Sequence, residues 1–231
     1  MTASSKALPD PEEKEQVVEE MFDRIAGRYD RVNRIMTFRL DVGWRKRTVE
    51  SLRLRPGDLV LDLACGTGDL CRDIAAAGGT AIGIDFSAGM LANARTAAPL
   101  VRASALELPV ADGVADAVTC GFALRNFASL DFFVAECARA LRPGGRLALL
   151  DAAEPDNAIA RAGHHVYFHK VVPWIGGMLS DKDAYRYLPA SLAYLPPTVE
   201  LLATIERTGF TAVRRRRLGL GAAQLITGVR L

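Results

Sequence analysis

The chain has 231 residues, half of them hydrophobic, with 29 basic and 27 acidic side chains and a formal net charge of +2. That length suits one well-cored domain with an insertion and is short for two independent ones, and the balanced charge offers no clustered basic face of the kind nucleic acid requires. No apolar stretch reaches the ~18 residues of a membrane span, and the polar, acidic segment 1–20 does not resemble a signal peptide, so an intracellular, cytoplasmic protein is expected.

Residues 1–11 carry Ser, Pro and charges without periodicity and predict a mobile tail; 12–231 then reads as a single domain. Between 12 and 54 the apolar positions Val17, Val18, Met21, Phe22, Ile25, then Val32, Ile35, Met36, then Trp44, Val49, Leu52 recur at helical spacing. They predict two or three amphipathic helices. From Asp58 to Asp151 the pattern alternates: strand 58–63, helix 68–77, strand 80–85, helix 87–97, strand 100–103, strand 115–122, helix 129–141, strand 146–151. This is the pattern of a doubly wound α/β core, the stretch 55–151. Residues 152–196 break the alternation and hold four of the five tyrosines, which reads either as a helical cap over a pocket or as a surface helical pair with ordinary core aromatics. A helix at 198–208 and strands at 210–217 and 223–229 complete the sheet. The run Arg214–Arg217 falls on one of these strands, where a solvated edge is preferred over contact with anionic lipid.

The cysteines at 65, 71, 120 and 137 form no C-x-x-C pair and no zinc-like spacing, so reduced structural thiols are expected. His165 and His169 would share a helical face, but no H-E-x-x-H pattern accompanies them, and no metal is expected.

The most informative segment is Leu61-Asp62-Leu63-Ala64-Cys65-Gly66-Thr67-Gly68-Asp69, a glycine loop between strand and helix. It lacks the third glycine of the dinucleotide fingerprint, so a pyrophosphate clamp is not indicated and a smaller ligand fits better. The apolar run Ala81-Ile82-Gly83-Ile84 ends in Asp85, whose carboxylate could accept two hydrogen bonds from a ribose diol. In an open α/β sheet, ligands bind outside the carboxyl ends of the strands, where Gly66, Asp85 and Gly121 all fall.

With Asp62, the Gly66/Gly68 pair, Asp85 and the later Leu141-Arg142-Pro143-Gly144-Gly145 in order, the chain resembles the class I S-adenosylmethionine-dependent methyltransferases. Three further segments, Met21–Asp30, Phe122-Ala123-Leu124-Arg125-Asn126 and Asp183–Pro189, resemble the menaquinone and ubiquinone C-methyltransferase family. The resemblance covers residues 21 to about 210 and implies a Rossmann-like, seven-stranded sheet with an antiparallel last strand. It implies S-adenosylmethionine as cofactor and a prenylated quinol, methylated on a ring carbon, as substrate.

Asp62 and Asp85 would flank an adenosyl group, and Ala64 is a further cofactor-binding candidate; carried over by position, the resemblance assigns Thr67 and the Gly66–Gly68 backbone to the methionine part, with Gly121 on the same side. Asp85 takes the ribose, Phe86 and Met90 wall the adenine, and Ser104 and Ala105 meet its edge. Serine at 104 stands where the family often has Asp or Asn. Tyr29 would close over the sulfonium, or staple the N-terminal helix. Arg125 and Asn126 are the candidates for stabilising a phenolate during proton loss; Arg125 could equally be a structural arginine paired with a nearby carboxylate such as Asp69 or Asp131. Tyr167, Tyr185 and Tyr187 would line the acceptor channel, or serve a homodimer. Peripheral membrane contact follows only from a lipid-soluble substrate, since no strongly basic amphipathic helix stands out.

Two segments depart from the family pattern. The strand after Pro143-Gly144-Gly145 normally ends Glu-Phe-Ser and here reads Leu150-Asp151-Ala152, continuing to Pro155; the last strand normally carries Thr-Gly-Gly-Ile and a histidine, where this chain has Gly219–Ile226. Both bear on the acceptor, which leaves open a methyltransferase for another small aromatic or lipid molecule. A non-catalytic binding protein would predict decay of the glycine loop, and the loop is intact.

Overall fold

The near-continuous apolar runs of the central strands, buried at almost every position, dictate a sheet covered on both faces. In the computed structural model, which describes residues 14–155, 157, 161–163, 166, 167, 187 and 190–231, seven strands lie in the order β3-β2-β1-β4-β5-β7-β6. They are β1 (Leu59–Leu63), β2 (Thr80–Asp85), β3 (Leu100–Arg102), β4 (Ala115–Gly121), β5 (Leu141–Ala152), β6 (Phe210–Leu218) and β7 (Ala223–Arg230). The first five run parallel, and β7 enters antiparallel between β5 and β6, which is the expected seven-stranded, doubly wound sheet. The tail 1–11 and most of 152–196, including Tyr185, His165 and His169, lie outside the described residues.

Leu61, Leu63, Val118, Leu147 and Leu149 pack with Phe133, Val134 and Cys137 of helix α5 (Leu130–Ala140) and with Leu201 and Ile205 of α6 (Thr198–Arg207). On the opposite face Val60, Ala81, Ala148 and Leu150 meet Trp44, Val49 and Leu52 of α2 (Leu40–Leu52) and Cys71 and Ile74 of α3 (Asp69–Ala76). The period-2 alternation of a strand produces this two-sided core. The segment 12–54 resolves into two helices, α1 (Lys14–Met36) and α2. The break between them lies at Phe38 (φ 51°) and Arg39 (φ 62°), two non-glycine residues in the left-handed region.

Two predicted elements change extent. The helix expected over 87–97 stops early, as α4 (Ala88–Ala92). The chain beyond it is diverted onto the glycine loop: Arg95 N–H donates to Thr67 O at 3.0 Å, and Thr96 packs on Gly68. A tertiary hydrogen bond here overrides local helix propensity. Conversely β5 begins at Leu141 rather than 146, because Leu141 pairs with Ala115 before a register shift. The arginine run sits on β6, the edge strand, with Arg214, Arg216 and Arg217 exposed, as a solvated edge requires.

Helix α1 crosses to α4, burying Val18, Met21, Ile25 and Met36 with Met90. The approach is fixed by polar contacts as well. Ser87 Oγ accepts from Met90 N–H at 3.0 Å, capping α4, while Asp23 Oδ1 on α1 accepts from Ser87 Oγ at 2.5 Å and from Gly89 N–H at 2.8 Å. A Cβ on Gly89 would stand 2.8 Å from Asp23 Cα. Gly89→Ala is therefore expected to lower stability by about 1–3 kcal/mol in urea unfolding, an overpacking cost. Gly43→Ala, whose Cβ meets nothing within 4 Å, should be neutral or gain up to about 1 kcal/mol; equal midpoints for the two variants would show that the α1–α4 spacing is not so constrained.

Candidate active site

The turn after β1 leaves the ordinary backbone regions three times, at Ala64 (φ 52°), Gly66 (φ 55°) and Gly68 (φ 80°). The two glycines serve different ends. A Cβ at Gly66 would meet nothing within 4 Å, because that residue borders open cavity. One at Gly68 would lie 2.6 Å from Thr96 Cγ2, so Gly68 closes the turn against the chain beyond α4. Phe122, at the end of β4, is also left-handed (φ 62°). Non-glycine residues held at positive φ cluster at functional sites, where surrounding structure holds them against their preference.

Carboxylates hold this turn. Asp85 Oδ2 accepts from Gly66 N–H at 2.7 Å and its Oδ1 from Ser87 N–H at 2.9 Å; burial nevertheless pushes its pKa up to about 6. Asp62 is fully buried, with Oδ1 accepting from Thr119 Oγ1 at 3.0 Å and Oδ2 from Cys71 Sγ at 3.3 Å. Burial raises it to about 7. Cys71, expected as an inert structural thiol, thus donates to a site carboxylate. Thr67 Oγ1 donates to Asp30 Oδ1 of α1 at 2.5 Å, and this ties the loop to the N-terminal helix.

Two cavities open along the carboxyl ends of the strands. The smaller, of about 60 Å³, is lined by Phe22, Asp85, Phe86, Met90, Ser104 and Ala105 among others. The larger, of about 300 Å³, extends under α1 and α2 past Met36, Phe38, Trp44 and Tyr167 and includes Asp62 and Thr67. They share a wall made of Tyr29, Ala64, Gly66, Gly121 and Phe122. Of the cofactor residues expected from the sequence, Gly68 alone borders neither. Desolvation raises the Tyr29 phenol above its usual range, so its ring stays neutral at the shared wall.

Arg125 and Asn126 form a single 3₁₀ turn after β4 and are both 7% exposed. Arg125 faces the larger cavity and Asn126 the smaller. Arg125 does pair with a carboxylate, but with neither Asp69 nor Asp131. Its Nη1 meets Asp151 at the end of β5, and its Nε donates to Ser191 Oγ at 3.1 Å. Asp151 is fully buried, and desolvation holds its carboxyl above the ordinary range against the pull of the guanidinium. Tyr187 lines neither cavity; its hydroxyl donates to Asn126 Oδ1 at 3.3 Å, which positions the amide. Tyr167 lines the larger cavity and donates to Met36 O at 2.6 Å.

Sequence reasoning missed the contribution of α2. Trp44 packs at 6.2 Å from Phe122, and Arg45 bridges Asp41 (2.5 Å), Asp69 (3.0 Å) and Asp73 (3.3 Å), joining α2 to α3 beside the larger cavity. The Asp41/Arg45 pair at i,i+4 was a legible signal. The two segments that depart from the family pattern are neighbours in space. Ala153 N–H donates to Ala222 O at 3.0 Å, Gln224 pairs with Asp151 across β5 and β7, and Gly221 abuts Pro155. Ala152 and Ala222 line the larger cavity, and Gly219 is pressed on Trp44.

Known proteins resemble this chain over most of its length. A sequence profile described as the ubiE/COQ5 methyltransferase family matches residues 11–230. The demethylmenaquinone methyltransferase of Roseiflexus castenholzii is 40% identical, over 98% of this chain and 99% of its own. The ubiquinone/menaquinone biosynthesis C-methyltransferase UbiE of Syntrophotalea carbinolica is 40% identical over 91% and 92%. Among solved structures, a SAM-dependent methyltransferase of Thermotoga maritima matches with TM-score 0.64 at 18% identity, over 92% of this chain and 99% of its own. Haemonchus contortus phosphoethanolamine N-methyltransferase 2, in complex with S-adenosyl-L-methionine, matches with TM-score 0.55 at 14% identity over 77% and 49%. At those identities the structures share the fold alone.

The buried carboxylates set a pH dependence. Asp62 titrates near 7 in the folded protein and near ~3.9 when unfolded, so between these values the unfolded chain releases a proton that the folded one retains. Stability from this group is full below about pH 4 and declines as pH rises through about 7. Asp62→Asn removes that decline. Relative to the parent, the variant should gain stability from pH 4 to 8 by an amount on the order of 2–4 kcal/mol, read from thermal midpoints without ligand. A difference that stays constant with pH would show that Asp62 ionises normally.

Proposed function

This chain belongs to the ubiE/COQ5 methyltransferase family, and from that premise we propose that it uses S-adenosylmethionine to methylate a ring carbon of a prenylated quinol. The step is demethylmenaquinol to menaquinol, or the related benzoquinol step. The observation that carries the reading is the pair of cavities meeting at Tyr29, Ala64, Gly66, Gly121 and Phe122. The smaller is bordered by the candidate ribose and adenine contacts Asp85, Phe86, Met90 and Ser104, and the other is larger and mostly apolar.

The residues present fit the cofactor. Gly66 leaves open the space a Cβ would enter, and Asp85 stands at a strand end with further acceptor capacity for a ribose diol. Phe86 and Met90 provide flat apolar walls, and Ser104 retains a hydroxyl for an adenine edge. Asp62 and Asp85, costly to ionise in an empty site, are favoured as anions once a cation lies beside them. Tyr29 offers a neutral ring face to positive charge, an attraction of roughly 0.5–2 kcal/mol. When bound, S-adenosylmethionine supplies an electrophilic methyl whose carbon–sulfur bond breaks as the ring carbon attacks.

The chain's own contribution is alignment, exclusion of bulk water from the methyl and stabilisation of the phenolate left when a quinol hydroxyl passes its proton to a solvent water, the ring-carbon proton going the same way after methyl transfer. Holding methyl and ring carbon in line at the shared wall can remove ~7 kcal/mol or more of barrier. Arg125, facing the acceptor side, stabilises the phenolate formed when a quinol hydroxyl loses its proton, and Asn126 holds that hydroxyl or a water. Asp151 and Ser191 fix the guanidinium. Tyr167 lines the channel for the prenyl chain, and peripheral contact with a membrane is the natural source of such an acceptor. A second reading, transfer to another small aromatic or lipid molecule, draws on the two altered segments that meet beside the acceptor cavity.

Incubation with methyl-labelled S-adenosylmethionine and a short-chain reduced demethylmenaquinone should place the label on the ring carbon, read by mass spectrometry. Cofactor binding without that product would favour the second reading. Arg125→Ala should lose about 3–5 kcal/mol of stability, because it strands a buried carboxylate. The double variant Arg125→Leu/Asp151→Leu should be near the parent in stability and bind cofactor normally, yet turn over on the order of a hundredfold more slowly. Full turnover in the double variant would remove Arg125 from the mechanism.

A further inference from the structure

Charge is segregated along α1. Residues 15–23 carry Glu15, Glu19, Glu20 and Asp23, whereas 24–39 carry Arg24, Arg28, Arg31, Arg34 and Arg39 with Asp30 as the one acid among them. Acid at the start of a helix and base at its end suit the helix dipole, so the gradient alone calls for no partner. The same end, however, also exposes large apolar side chains: Ile35 is 42% exposed, Leu40 51% and Phe38 72%. The turn that presents them holds Phe38 and Arg39 in the left-handed region, which L residues adopt at a cost. The helix lacks this basic character in its first half, which is why no strongly basic amphipathic helix stands out in the sequence.

Phe38 stands on a boundary. It borders the larger active-site cavity with Met36, Thr37 and Leu40, and it also borders an adjoining basin of about 580 Å³ around which Arg31, Arg34, Arg39 and Arg95 are arranged. An exposed apolar cluster ringed by arginines is complementary to a surface that is anionic outside and apolar beneath, namely a bilayer with acidic headgroups. The continuity with the cavity adds a direction. An acceptor with a prenyl tail would pass from acyl chains to the reacting centre along Leu40, Phe38 and Met36.

We propose that the α1–α2 turn is the surface by which this protein docks on anionic bilayers, Phe38 and Leu40 entering the headgroup boundary while Arg31, Arg39 and Arg95 meet phosphates. The proposal rests on the reading of the larger cavity as the site of a prenylated acceptor. The other arginine cluster, on edge strand β6, has no exposed large apolar residue within its strand and serves as the internal control.

The test is co-sedimentation of the purified protein with vesicles of phosphatidylcholine alone and of an equal mixture with phosphatidylglycerol. Binding is expected to the mixture only and to weaken with salt. Arg31→Gln/Arg39→Gln should weaken it on the order of tenfold to thirtyfold and Phe38→Ser should weaken it also, whereas Arg214→Gln/Arg216→Gln should change it little. The Arg31/Arg39 variant should keep its turnover of a short-chain, water-soluble quinol and lose turnover of a long-chain quinol embedded in the mixed vesicles. No vesicle binding by the parent, or equal losses for the β6 variant, would overturn the proposal. So would a dimer in solution that Phe38→Ser dissolves in a protein indifferent to vesicles, since that would give the face to a second copy. Vesicle binding is read without catalysis, so failure to methylate the short-chain quinol would count against the proposed reaction and leave the docking surface to its own result.

Discussion

The hydrogen bond from Gly66 N–H to Asp85 Oδ2, at 2.7 Å, joins the carboxyl end of β1 to that of β2 and sets where everything else can stand. With Cys65 N–H donating to Ile84 O at 3.1 Å, it prolongs the parallel pairing past the strands and pins the glycine turn open toward solvent. The second oxygen of the same carboxylate takes Ser87 N–H, which starts α4. Ser87 and Gly89 in turn receive Asp23 from α1. One buried carboxylate therefore organises the loop, the next helix and, through it, the lid formed by α1.

That organisation has an electrostatic cost. Asp62, Asp85 and Asp151 all lie buried toward the carboxyl ends of parallel strands, on β1, β2 and β5, and burial raises each above its ordinary range. Such groups are held to a few neutral or polar donors, and Arg125 is the one guanidinium recorded against any of them among the described residues. A site of this kind is better stabilised with a cation in it than without. The fold thereby stores part of its stability in the occupied state, the linkage expected when a ligand binds the native form alone.

The larger cavity is built differently, from elements far apart in sequence. Trp44 of α2, Phe122 after β4, Ala152 at the end of β5, Tyr167 and Ala222 before β7 come together around the larger cavity. Gly219, at positive φ, lets the β6–β7 turn lie on the Trp44 ring. The stretches 151–155 and 219–224, which depart from the family pattern, lie against each other across β5 and β7.

The sequence by itself determined the alternation of strands and helices, the glycine turn and the carboxylate that follows it, because each is written in local periodicity or in residues spaced within one β-turn-α-β unit. It also yielded Arg125 and Asn126 as a turn after β4, since a strand's end is visible locally. Only the tertiary structure decided that α4 ends at Ala92, since the force that ends it is a bond to Thr67 from Arg95. It alone gave Arg125 the partner Asp151 rather than Asp69 or Asp131, turned Tyr187 onto Asn126, and brought α2 to the wall of the larger cavity. Those contacts link residues 26 to more than 100 positions apart, and no local pattern specifies which of several equivalent carboxylates or aromatics a side chain will reach. That choice belongs to the packing of the sheet's two faces, where strand order and register, not sequence distance, set who is near whom.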